Sequence, residues 1–313
     1  MTQNLSISLR GFNDENIAKL VGSSILSCFN QMNEYIDISR LELISVGCSE
    51  EDYTFLLSEF RNELKATNDA LAVGAGMTVV SDPKDLKFRV FFSGLGIWGL
   101  IKTHYENDES LLDSAIHTIS HEFMHVYVGT ELYTSYPELL TEIIPQNIHE
   151  ELKWKTILSC WDEYRVCSLC AKFGENPHDG YRDILENTLL NFEDNILKAK
   201  SDISDWGTFL RRIYSVIHTL LKYSSYYLGT CIGLEIDYRE TDIYIKKISR
   251  SWFGKYFDRL FDTLSKITKC FNSESYDINK FFDIAEILVD ISMEYKVFVD
   301  EKEDNSVWVQ LVH

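Results

Sequence analysis

Proline is scarce in this chain, with 4 in 313 residues, and glycine is held to 15. So few punctuating residues leave little material for tight turns, and long helices are expected. Basic charge is also short: 30 Lys+Arg stand against 49 Asp+Glu, a net charge of −19. No charge run is basic, so the chain lacks a stripe for phosphates. That argues against nucleic acid and against docking on an anionic membrane surface. Long apolar runs are missing too. The stretches Ala70–Ser81, Val90–Ile101 and Tyr223–Leu234 each reach only about a dozen residues, where a spanning helix needs roughly 20. Met1 to Arg10 carries no basic segment followed by an apolar one, so no secretory leader is expected. Seven cysteines, an odd number, then read as reduced thiols in a cytoplasmic protein.

What is present is core material: 45% of residues are hydrophobic and 13% aromatic. Apolar residues at helical spacing predict helices over about 13–33, with Asn13 as N-cap, and over 50–64. Strands are predicted over 39–46, 70–80 and 86–93, the last two joined by a turn at Asp82–Lys84. Ser110, with Asp113 three residues on, predicts a capped helix from about Leu111 to Val128, stopped by Gly129. The remainder reads as helical over 137–144, 149–173, 180–199, 204–235, 240–269 and 278–296. A C-terminal hairpin is predicted over 296–300 and 306–312. The expected class is α+β, predominantly helical. An N-terminal α/β region, 1–130, would precede a helical one, 131–313.

The chemistry concentrates in His121-Glu122-Phe123-Met124-His125, an H-E-x-x-H sequence inside a predicted helix. Histidines four residues apart lie about 40° apart around a helix axis, one turn along it, so both imidazoles can reach one metal ion. Glu122, beside the first ligand, is placed to take a proton from a water at that ion. A zinc hydrolase needs a third protein ligand and an open fourth position. Glu163, in Trp161-Asp162-Glu163-Tyr164, is favoured. A helix that buries Trp161 and Tyr164 and still points a carboxylate inward needs a reason for it, and a metal is the simplest. Glu142 and Glu138 are the alternatives. Glu131 occupies the place where metzincins carry a histidine, but the metzincin glycine is absent, since position 128 is Val.

Other residues have plainer readings. His117, one turn before His121, is too distant for the same ion and reads as a supporting or core residue. Cys167 and Cys170 form a C-x-x-C in a helix interior with no second such pair, and read as small buried hydrophobes. His218, Tyr223, Tyr226 and Tyr227 are candidates for an oxyanion donor, with no basis for choosing among them.

The order strand–strand–H-E-x-x-H helix, followed by a glutamate on a later helix, resembles the zincin superfamily of gluzincin type. Within it, W-x-E-Y after H-E-F-x-H-V is similar to uncharacterised bacterial zincin-like proteins. The resemblance covers roughly residues 36–173. It implies one Zn2+ per chain held by His121, His125 and Glu163, with Glu122 as general base. It also implies a peptide or protein substrate pairing with an edge strand near Phe88–Phe92, in a cleft between an α/β lobe and a helical lobe. No thermolysin-type N-E-x-x-S-D stretch follows the metal helix. The expected activity is zinc-dependent peptide-bond hydrolysis. The alternative is a zincin fold serving as a regulatory or peptide-binding module, with a non-catalytic metal. Oligomeric state is left open.

Overall fold

The structure is a computed structural model that describes residues 5–65, 68, 69, 72, 73, 75–141, 144–201, 203, 205–270 and 278–312. It is mostly helical, with a small mixed sheet, and divides into two compact units. The first is Met1–Thr141 with Leu169–Pro177, and the second is Glu142–Ser168 with His178–His313.

The first unit begins with β1 (Ser6–Arg10), α1 (Glu15–Asn33), β2 (Leu41–Gly47) and α2 (Glu50–Phe60). Asp14, not Asn13, caps α1, its carboxylate accepting from the Asn16 and Ile17 amides. Ser49 and Asp52 form a reciprocal capping box on α2. After the short strands β3 (Asn68–Asp69) and β4 (Ala72–Val73) come β5 (Gly76–Asp82) and β6 (Lys87–Ser93). The four-stranded sheet runs β1-β2-β6-β5. The first three strands are parallel, and β5 is antiparallel to β6. The region near Phe88–Phe92 is therefore an interior strand, with both neighbours in place, and offers no edge to a peptide. Among the described residues the edges are β1 and β5.

Side chains alternate across this sheet. Phe91 joins Tyr53, Leu56 and Leu57 of α2, with Met77 and Val79 against them. Phe92 faces the opposite way, its ring 6.2 Å from that of Phe123, which stands edge-on to Phe29 of α1 at 5.9 Å. Phe123 belongs to α4 (Leu112–Ser135), which follows α3 (Trp98–Glu106). Two sequence readings fail here for identifiable reasons. Ser110 does not cap α4: the N-cap position falls on Leu111, which makes no side-chain cap hydrogen bond, and the Ser110 hydroxyl accepts from Lys102 Nζ at 3.5 Å instead. Gly129 does not end the helix either. It lies inside α4 because a Cβ there would stand 2.9 Å from the Phe88 ring, so the helix crosses the sheet where only glycine allows it. Strand β1 and helix α3 lie in stretches that the periodicity left unassigned.

The short α5 (Glu138–Thr141) and α6 (Ile148–Cys170) follow, the latter entering the second unit. That unit holds α7 (His178–Ser201), α8 (Trp206–Gly233), α9 (Gly254–Cys270) and α10 (Phe282–Glu294), with the hairpin β7 (Val297–Glu301) and β8 (Val307–Leu311). Helix α8 packs along α7 and touches α9 and α10. The predicted helix over 240–269 is broken. A π-helical turn spans Tyr244–Ile248, and α9 starts only at Gly254. No described helix is long and apolar enough to cross a membrane.

Candidate metal centre

Helix α4 is buried on nearly all sides from Ile119 to Gly129, with Ile119, Phe123, Val126 and Val128 filling the core around it. A helix of that kind normally carries no charge. This one carries His121 and Glu122 at 9% and 7% exposure, which demands polar partners. His121 and His125 turn toward each other, with Nε2 to Nε2 at 3.1 Å. Two nitrogens bound to one zinc at about 2.0–2.1 Å with a tetrahedral angle stand about 3.3 Å apart. The imidazole pair therefore fits a shared divalent ion.

Glu122, between the two histidines in sequence, meets the sheet. The Thr78 hydroxyl of β5 lies 2.8 Å from its Oε2 and 2.9 Å from its backbone carbonyl. Gly76, two residues earlier on β5, lets the strand approach. A Cβ there would lie 2.5 Å from Glu122 Cγ and 2.9 Å from Oε1. Strand β5 thus fixes the carboxylate from two points. The negative charge of Glu122 also reaches Tyr53, whose phenol is pushed up, first by burial and then by this carboxylate.

The other side of His121 faces a thiol. Cys170 Sγ, wholly buried at the end of α6, lies 3.7 Å from His121 Nδ1. The chain reaches this point by folding back after α6. The Phe173 amide donates to the Cys170 carbonyl at 2.9 Å, and Glu175 donates to the Asp113 carbonyl at 2.9 Å. Gly174 between them adopts φ +68°, and a Cβ there would meet the Asp113 carbonyl oxygen at 2.2 Å. His117 completes the group. Its Nδ1 donates to the Phe173 carbonyl at 3.1 Å, and its ring centre lies 6.3 Å from that of His121. Burial pulls the His117 pKa down, with Cys170 opposing, so the ring is held neutral. His117, His121 and Cys170 each offer a donor atom within 4.8 Å of the others. The C-x-x-C is buried as the sequence reading has it, but the contact of Cys170 with His121 joins residues 49 apart and leaves no local signal.

Glu163, in the second unit, is 7% exposed. Lys222 of α8 places Nζ 3.2 Å from its Oε1, and the Tyr226 hydroxyl hydrogen-bonds the same carboxylate. A reason other than a metal therefore exists for a carboxylate beside Trp161 and Tyr164. Burial lowers the Lys222 pKa, but the Glu163 charge and hydrogen bond more than offset it, so the ammonium is held charged. Burial first, then the Glu163 charge, push the Tyr226 phenol well up. The partners arise from one stripe on α8. His218, Lys222, Tyr226 and Gly229 recur at spacings of three and four. At Gly229 the two helices approach closely, and a Cβ there would lie 2.3 Å from the Tyr164 carbonyl oxygen.

Of the four oxyanion candidates, the structure puts Tyr226 on Glu163. His218 instead lies 3.2 Å from the Thr156 hydroxyl. Tyr227 is buried against His178, with ring centres 5.3 Å apart, and Tyr223 stacks 6.0 Å from Tyr226. Glu131 accepts from the Tyr127 hydroxyl at 2.7 Å. Glu138 opens α5 and joins no metal-ligand cluster among the described residues, and Glu142 lies outside the described residues. No family model matches the chain, and neither a curated protein nor a solved structure does.

Proposed function

We propose that the chain is a zinc-dependent peptidase, with one Zn2+ held by His121, His125 and Glu163 and with Glu122 as the general base. The observation that carries this reading is the 3.1 Å approach of the two imidazole nitrogens, next to a carboxylate locked in place by Thr78. Helix continuity supports Glu163. It lies seven residues before Cys170 on the unbroken helix α6, hence about 20° away around the axis. Glu163 therefore shares the face of α6 that ends in the thiol beside His121.

A zinc ion in such a site supplies a water of lowered pKa and a Lewis acid for the scissile carbonyl. Glu122 takes the proton of the attacking water and passes it to the leaving amine. Thr78 keeps the carboxylate oriented throughout. Tyr226 spends its one O–H on the Glu163 carboxylate and so holds that ligand in place. The substrate backbone would lie along β5, the edge strand that carries Thr78 and Gly76, in place of β6.

The test is metal analysis of the purified protein together with Glu122→Gln. About one zinc per chain, retained in the variant with hydrolysis of a peptide library lost, supports the reading. A wild-type chain with no affinity for zinc ends it. The Lys222–Glu163 pair favours a second reading, in which Glu163 is a structural carboxylate and the chain binds a peptide without cutting it. Glu163→Gln separates the two. As a ligand, its loss collapses zinc affinity, whereas as a structural partner of Lys222 its loss lowers stability and leaves zinc affinity intact.

A further inference from the structure

We propose that Cys170 is the positioning residue for His121: its sulfur accepts the Nδ1 proton and so leaves the lone pair at Nε2, facing His125. The proposal rests on the metal site proposed above, and the tautomer is read separately from zinc affinity in the test below. An imidazole that ligates through Nε2 must carry its proton on Nδ1, and that proton needs an acceptor. Metal-bound histidines usually use a carboxylate or a carbonyl. Here the atom opposite Nδ1 is Cys170 Sγ at 3.7 Å, a normal reach for sulfur, and the residue is 0% exposed, so water does not compete.

The neighbouring protons agree with this assignment. The Phe173 carbonyl can only accept, so the hydrogen bond at 3.1 Å places the His117 proton on Nδ1. His117 therefore does not compete for the sulfur through its Nδ1 proton. Backbone geometry holds the thiol in place through Gly174 and the Glu175–Asp113 hydrogen bond. Helix α6 thus offers Glu163 as a ligand and, two turns on, Cys170 as the support of another ligand.

The experiment uses the full chain, with Cys170→Ala and Cys170→Ser, in two measurements. Long-range 1H–15N correlation of the histidine rings in the metal-free protein reads the tautomer. Competition with a chromophoric chelator reads the zinc Kd. The wild type is expected to show His121 protonated on Nδ1. In Cys170→Ala that population mixes with the Nε2–H form and the Kd rises about 10–100-fold, while Cys170→Ser, which keeps an acceptor, recovers both. His121 protonated on Nε2 in the wild type overturns the proposal, as does a Cys170→Ala chain with unchanged tautomer and Kd. A thiolate-to-cobalt charge-transfer band in the Co2+-loaded wild type also overturns it, because Cys170 would then be a ligand. If the wild type binds no zinc, the peptidase reading fails, and the tautomer measurement still decides for or against Cys170.

Discussion

Substituting Gly76 by alanine probes the contact that locks Glu122. The new Cβ would stand 2.5 Å from Glu122 Cγ and 2.8 Å from Cδ, about an ångström inside normal carbon contact. Glu122 is buried and tied to Thr78 at 2.8 Å, so it has little room to yield. Overpacking of this kind costs about 1–3 kcal/mol. If the carboxylate is what clashes, the cost should vanish when Glu122 is shortened to alanine, because the atoms in the way are gone. A double-mutant cycle in urea unfolding therefore predicts that Gly76→Ala destabilises the wild-type background by about 1–3 kcal/mol and the Glu122→Ala background by under about 0.5 kcal/mol. Zinc content should persist in Gly76→Ala, since neither histidine is touched. Peptide hydrolysis should fall about 100-fold if the base is displaced by an ångström. Equal costs in both backgrounds, or no cost in either, would refute the claim that β5 positions the carboxylate.

Tyr226→Phe should weaken zinc binding, read by chelator competition, because it strips a hydrogen bond from the Glu163 carboxylate. Unchanged zinc affinity would refute the phenol as a support of that ligand. Gly229→Ala should destabilise the second unit in thermal melts despite the roughly 1 kcal/mol of helix propensity it adds, because its Cβ would meet the Tyr164 carbonyl at 2.3 Å. His218, buried and repelled by Lys222 and Lys155 against the opposing pull of Glu163, has its pKa pushed down to about 3 from 6.5. Its folded pKa is the lower one, so its stabilising contribution is complete above about 6.5 and is lost as the pH falls toward about 3. The slope reaches at most about 1.4 kcal/mol per pH unit. His218→Gln, which can still hydrogen-bond the Thr156 hydroxyl, should flatten the unfolding free energy across that window relative to the wild type, and an unchanged slope would remove His218 as the cause.

Helical content, the order of the main strands, the C-terminal hairpin and the His121/His125 pairing were legible in the residues, because each depends on spacing along a few turns of chain. Periods of two and 3.6 and the i, i+4 geometry are local rules, and they carry over into the fold. The exceptions had causes outside the local window. Gly129 looks like a helix terminator until Phe88 is seen against it. Phe88–Phe92 looks like an available edge until β2 pairs along its other side. The partners of the site were invisible for the same reason. Thr78 meets Glu122 across 44 residues, Cys170 meets His121 across 49, and Lys222 meets Glu163 across 59. Spacing along the chain decides which side chains share a face of one element. Which atom stands opposite that face is decided by packing between distant elements, and packing alone made a serviceable core cysteine the neighbour of a histidine nitrogen.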